Sequence, residues 1–465
     1  MAKKQLTIEE KLQAALVPVE EQPYKVPENW CWVRLGTVAS LYRGVSYKKA
    51  DAHSIKKEND CLIMRGGNIG EGYIDIDVDA DNVYVSSELV NEEQLIKEND
   101  IVIVASTGSK KVIGRAGISF ANYSNVAFGA FLMLVRPNGK TNACFIDYYF
   151  QSELYRNKIR NLAVGVNINN IRANYITELP IPFPTLNEQN RIVRCIESLF
   201  AKLDEAKKKI QEVLDGADLR RAAILHQAFT GKLTEKWRRE NSVSDAGWQD
   251  VYIEDIAQVK GGKRVPKGMS LTVENTGHPY IKAGNLKQGT VISDNIMFVP
   301  DDVLPYIKKY TVNVGDVYIT NVGACIGDCG VIPAEFDGAN LTENAVKLTD
   351  LECDSNYLAK YIASEFVQVE IKTRIASATL GKLSIANIKK IKVKLPTFSE
   401  QQEIVRLLDN LLSREQSTVT ACEKALATIG VLKKSILARA FRGELGTNDP
   451  SEAGAQELLQ EILAS

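Results

Sequence analysis

The chain has 465 residues, 45% of them hydrophobic and 25% charged, with a formal net charge of −1. That length suits two or three domains and the composition is that of an ordinary soluble globular protein, while near-neutrality gives no bulk electrostatic pull toward nucleic acid or a membrane. No apolar run reaches the ~20 residues of a membrane-spanning helix. The eight cysteines are scattered, only Cys325 and Cys329 lying close, and with three histidines (His53, His226, His278) they complete no metal set.

The opening stretch "MAKKQLTIEEKLQAAL" lacks the apolar core of a signal peptide, so a cytoplasmic protein is expected. Residues 1–26 read as an N-terminal helical arm. Residues 27–186 read as an α+β globule. "IVIVAS" and "FLMLVRP" have the pattern of strands between Gly/Asn turns, and "CFIDYYFQSELYRNKIR" that of an amphipathic helix. Residues 187–245 read as a long spacer helix and linker, 246–398 as a second globule, 399–445 as a second spacer helix, and 446–465 as a tail helix.

The second half restates the first. Residues 187–233 align without a gap with 399–445, including "NEQNRIVR" against "SEQQEIVR" and "ILHQAFTGKL" against "ILARAFRGEL". A gapless match this long favours helices, because loops tolerate insertions. Asn187 and Ser399 are the expected N-caps, with Ser399 and Gln402 spaced as a capping box, and Gly231 and Gly443 suit the position after the last turn. Ile196, Leu203, Ile210, Ala217 and Ile224 recur every seven residues, as do Ile404, Leu411, Thr418, Ala425 and Leu432. Such a stripe fits a generic dimerisation helix, or two copies paired antiparallel within one chain. Upstream, aligning Trp30 with Trp248 also aligns Leu35 with Ile253, Val38 with Ile256, and Gly44 with Gly262.

Known catalytic signatures are not found. There is no nucleophile elbow, P-loop or dinucleotide fingerprint, and "KGGKRVPKG" does not match a P-loop. Several loops instead combine cations with hydrogen-bonding side chains, the residue types that hold phosphates and read base edges. In the first globule these are Arg43, Tyr47, Lys48, Lys49, Arg65, Asn68, Ser106, Thr107, Ser109, Lys110, Lys111, Asn167, Asn169 and Asn170. The second offers Lys260, Lys263, Arg264, Lys267, Lys282, Asn285, Asn321 and Lys382. Residues 27–186 as a whole hold 17 Lys/Arg against 17 Asp/Glu, so only the placement of these loops at matching points of both globules favours nucleic acid.

Two globules, each followed by a Glu-Gln-x-x-Ile-Val helix start and a helix closing on Ala-Phe-x-Gly-x-Leu, resemble the specificity subunit of type I restriction–modification systems. The resemblance covers essentially the whole chain. It implies two pseudo-symmetric target recognition domains joined by two long antiparallel coiled-coil helices. Each domain would read one half of a split double-stranded DNA site. The helices would set the spacing and dock two adenine-methyltransferase subunits, which motor–nuclease subunits then join. Glu188, Gln189, Ile192, Val193 and Leu199, with Glu400, Gln401, Ile404, Val405 and Leu411, are the expected docking and helix-pairing positions. S-adenosylmethionine, ATP and Mg would belong to the partner subunits, and this chain would be non-catalytic, without a metal. The alternatives are a coiled-coil adaptor binding two copies of a protein without DNA readout, and a self-contained methyltransferase or nuclease.

Overall fold

A computed structural model describes residues 7–76, 82–162, 169–244, 247–287, 289–376 and 381–464. The chain forms two compact units, Met1–Ile210 with Lys424–Ser465, and Gln211–Glu423. Both boundaries fall inside the long helices, so each unit takes a globule, the start of the helix that follows it, and the end of the other helix. The arm helix Ile8–Ala15 and the tail helix Ala455–Ala464 contribute Ala15, Leu459 and Ile462 to the core of the first unit.

Within the first unit, strands Ala39–Arg43, Leu132–Pro137, Ile101–Val104 and Ala116–Ile118 form an antiparallel sheet in that order. Its inner strand explains the unbroken apolar run "IVIV". Successive strand side chains point to opposite faces. Ile101 and Ile103 enter the core beneath helix Ala143–Gln151, whereas Val102 and Val104 enter a second core beneath a smaller sheet. That smaller sheet holds Tyr84–Ser86, Asp60–Met64 and Val126–Phe128.

The second unit repeats this topology. Gln258–Gly261, Ala345–Thr349, Val317–Thr320 and Cys329–Val331 form its four-stranded sheet, and Met297–Phe298, Pro279–Ile281 and Asn340–Leu341 its three-stranded one. Val317 and Ile319 again enter one core and Tyr318 the other.

The second long helix, Phe398–Ala440, is unbroken, but the first is interrupted between Leu186–Asp215 and Ala217–Phe229. Glycine is a poor helix former, and Gly216 sits at the break, where Arg220 Nη2 takes the Val213 carbonyl at 2.7 Å. Both helices begin one residue earlier than the sequence suggests. The Glu188 N–H donates to Thr185 Oγ1 at 3.3 Å, so Asn187 lies inside the first turn. Likewise Ser399 and Gln402 follow Phe398 within the helix and do not cap it. Gly231 and Gly443 adopt the left-handed conformation expected after a last turn, at φ 77° and 72°.

Within the first unit Asp204 meets Lys433 at 2.6 Å and Glu188 meets Thr447 at 2.7 Å, and within the second Arg220 meets Glu415 at 2.8 Å and Thr234 meets Glu400 at 2.7 Å, so in each unit the two helices and their flanks run antiparallel. The fold is α+β, with two pseudo-symmetric globular domains joined by two long antiparallel helices.

Candidate nucleic-acid interface

The two repeated signatures fasten the helices to the globules. Gln189 Nε2 donates to the Pro184 carbonyl at 3.0 Å, and its Oε1 accepts the Asn142 N–H at 2.9 Å, fixing the start of helix Ala143–Gln151. Gln401 makes the same two bonds, to the Pro396 carbonyl at 2.8 Å and from the Asp354 N–H at 2.8 Å. Glu188 accepts from Arg191 and Thr447, and Glu400 from Thr234, Arg238 and Trp248. Phe229 and Phe441, from the closing motifs, are buried against Tyr357 and Tyr361, and against Phe145 and Tyr149.

Glu188, Gln189, Ile192, Val193, Glu400, Gln401 and Ile404 are therefore buried within their own units, which takes them off any surface a partner could touch. Val405, Leu199 and Leu411 are half-buried.

The loops chosen from sequence are distant in the chain but meet at one edge of each unit. In the first, they gather on the turn 129–131. Val45 N–H donates to the Phe128 carbonyl at 2.8 Å, and Gly129 N–H to the Met64 carbonyl, next to Arg65, at 3.0 Å. The Ala105 and Ser106 N–H groups both donate to the Phe131 carbonyl, at 2.9 and 3.0 Å. Ser106 pairs with Asn170, and Thr107 with Asn169.

The second unit gathers its loops on the turn 342–344 in the same way. Lys263 N–H donates to the Leu341 carbonyl at 2.9 Å, and Thr342 N–H to the Ile281 carbonyl, beside Lys282, at 3.0 Å. Asn321 and Val322 N–H groups donate to the Asn344 carbonyl at 2.9 and 3.3 Å, and Leu383 N–H, beside Lys382, to the Asn321 carbonyl at 3.0 Å.

The aligned glycines make this closure possible. A Cβ on Gly44 would lie 2.1 Å from the Gly129 carbonyl oxygen, and one on Gly262 would lie 2.0 Å from that of Thr342. No side chain fits where the backbones approach so closely.

The edge of the first unit is cationic although its globule is neutral. Segments 43–49, 65–68 and 106–111 carry Arg43, Lys48, Lys49, Arg65, Lys110 and Lys111, all exposed, and no carboxylate. The second edge carries Lys260, Lys263, Arg264, Lys267 and Lys382, all exposed, with Lys282 half-buried. Some of that charge is countered: Arg264 lies 2.5 Å from Glu343 and Lys260 3.7 Å from Asp350.

Other candidates serve the loops themselves. Asn68 Oδ1 accepts the Arg65 N–H at 2.8 Å and its Nδ2 donates to Asp75 at 3.0 Å. Asn285 occupies the matching place, accepting from Lys282 N–H and donating to Ile292 and Asp294 carbonyls, and is only 1% exposed. Asn321 is 4% exposed. Asn285 is thus a buried support of its loop and not a surface contact; Asn321 is buried too, bonded through its backbone to Asn344 and Leu383, while its Oδ1 bonds no described residue. Thr107 Oγ1 accepts the Ser109 N–H at 3.2 Å, and Tyr47, half-buried, packs against the small core of Val45, Ile63, Val85 and Ala127. Ser106 is half-buried, while Ser109 and Asn170 are exposed. Asn167 lies outside the described residues. The turns 129–131 and 342–344 carry no cation, so charge does not mark them in the sequence; their signal is the correspondence of "FGAFLML" with "LTENAVK" at the same point of the repeat.

Residues 27–215 and 245–421 match the family described as the type I restriction modification DNA specificity domain. Over 429 residues, the chain is 32% identical to the EcoKI specificity subunit of Escherichia coli K12, covering 90% of each chain. It is 30% identical over 434 residues to the StySPI specificity subunit of Salmonella potsdam, again covering 90% of each. Its fold resembles that of the HsdS subunit from Thermoanaerobacter tengcongensis, with a TM-score of 0.65 at 19% identity, over 92% of this chain and 100% of that one. A duplicated α+β domain, antiparallel spacer helices and both repeated signatures agree with these matches: the chain belongs to the DNA specificity family of type I restriction–modification enzymes.

Proposed function

We propose that this chain is the non-catalytic subunit that gives a type I restriction–modification complex its DNA sequence specificity. Each globule reads one half of a bipartite site. The paired helices set the half-site spacing and help to dock two adenine-methyltransferase subunits, to which motor–nuclease subunits attach. S-adenosylmethionine, ATP and Mg are bound by those partners, and the complex works in the cytoplasm.

The observation that carries this reading is the convergence of remote basic loops on matching turns of two equivalent units. Phosphates demand exposed cations, and base readout demands rigidly placed donors and acceptors between them. Outside these edge cations each globule holds 11 Lys/Arg against 17 Asp/Glu, an acidic remainder that leaves phosphate contact to this edge. Mapping adenine methylation in host DNA by the assembled complex tests it: a motif with two separated halves is expected. Replacing residues 246–398 by the equivalent domain of a relative should change one half alone. A continuous motif, or change in both halves, would count against independent reading; an adaptor would give no methylation pattern that depends on this chain.

A further inference from the structure

Phe131 is 70% exposed, an unfavourable place for a large apolar ring in water. It is also held firmly. Its carbonyl takes two N–H bonds from Ala105 and Ser106, and the adjoining Gly129 is closed onto Gly44. Sheet register places Leu132 opposite Val104 and Met133 opposite Arg43, so the ring stands at the tip of a turn ringed by Arg43, Arg65 and the 106–111 loop.

Asn344 holds the same position in the second unit. Its carbonyl takes the same pair of N–H bonds, from Asn321 and Val322, and Ala345 lies opposite Thr320 as Leu132 lies opposite Val104. Its own N–H is bonded to Thr342 Oγ1 at 3.4 Å, whereas its side-chain amide is half-buried and bonds no described residue. The backbone at the tip is thus common to both units, and the side chain differs in kind.

We propose that this turn tip is the base-reading position of each unit, Phe131 meeting base faces or a thymine methyl in one half-site and Asn344 an adenine edge in the other. Duplex DNA is the occupant favoured by charge, because segments 43–49, 65–68 and 106–111 beside Phe131 carry six cations and no carboxylate of their own, with Asp51 on the Lys48 N–H and, in the second unit, Glu343 beside Asn344 as adjoining acids. An apolar ring cannot discriminate through phosphates, but it complements the thymine methyl or a partly unstacked step. The Asn amide offers the paired donor and acceptor that match adenine N7 and N6. A shared scaffold with exchangeable tips also lets two copies of one fold read different sequences. This inference rests on the specificity-subunit reading and adds to it which residue discriminates.

The test uses the complete chain assembled with its methyltransferase partners, acting on the genome of a host lacking adenine methylation. Wild type, Phe131→Ala, Asn344→Ala, and the exchange variants Phe131→Asn and Asn344→Phe are compared by modification sequencing. Affinities are then measured on the mapped duplex and on a scrambled duplex, with thermal unfolding as a check of folding. Asn344→Ala should lower discrimination about tenfold or more at one or two positions of one half. Phe131→Ala should do so in the other half only, with scrambled-DNA affinity unchanged in both. An unchanged motif in both variants, or equal losses on the two duplexes, would overturn the proposal. If wild type marks a bipartite site but these variants leave it intact, only the tip assignment fails. If wild type marks no site, the specificity reading fails and the tip assignment with it.

Discussion

Arg238 Nη1 lies 2.6 Å from Glu400 Oε1, with the two side chains only 9% and 1% exposed. The same carboxylate oxygen accepts from Thr234 Oγ1 at 2.7 Å and Trp248 Nε1 at 3.2 Å. Glu400 therefore ties the start of the second long helix to the connector after the first. Removing one member of a buried pair strands the other charge, which costs about 3–5 kcal/mol. Arg238→Ala should lose that much in denaturant unfolding of the second unit. Arg239→Ala, whose partner Glu235 is exposed one turn away, should change stability by less than about 1 kcal/mol.

Burial raises the Asp147 carboxyl from its ordinary 3.8 to about 7, partly offset by the hydrogen bond from Gln151 Nε2 at 2.5 Å. The folded state then holds a proton that the unfolded chain has released between about pH 4 and 7. Stability should fall as pH rises through that window and level off above it. Asp147→Asn should flatten this slope and stabilise the protein at pH 8 by a few kcal/mol, read from thermal unfolding across pH. The matching residue of the second unit is Ala359, so the helix itself does not require a carboxylate here.

Gly44→Ala should destabilise the first unit by about 1–3 kcal/mol, because the added methyl meets a carbonyl that cannot swing away. DNA affinity should fall with it, since the turn carrying Phe131 must shift. Gly67→Ala, with nothing within 4 Å of the new Cβ, serves as the control. Comparable stability for the two variants would separate the close approach from the folding of this edge.

Lys110 and Lys111 are exposed in the Ser/Gly loop beside the turn. Replacing both with Ala should weaken binding to every duplex and flatten the salt dependence by roughly one or two units of slope. Arg65→Ala should cost about 1–3 kcal/mol on the mapped site and little on scrambled DNA. Equal losses on both duplexes would make Arg65 a phosphate contact.

The sequence by itself determined the duplication, the two long helices and the strand character of segments such as "IVIV" and "FLMLVRP". These are local or periodic properties: an apolar run, a seven-residue stripe, a glycine after a last turn. It also pointed to Gly44 and Gly262, whose shared place in the repeat reflects a backbone approach that excludes any side chain. What only the tertiary structure decided was the role of polar residues. Glu188, Gln189 and Asn285 resemble surface groups in sequence, yet each is buried, because hydrogen-bond partners far along the chain or across a turn take up its polar atoms. The interface was decided the same way. Six cations of a neutral globule become one charged edge only when sheet register carries the ends of remote strands to a common turn, and no local pattern in the chain records that meeting.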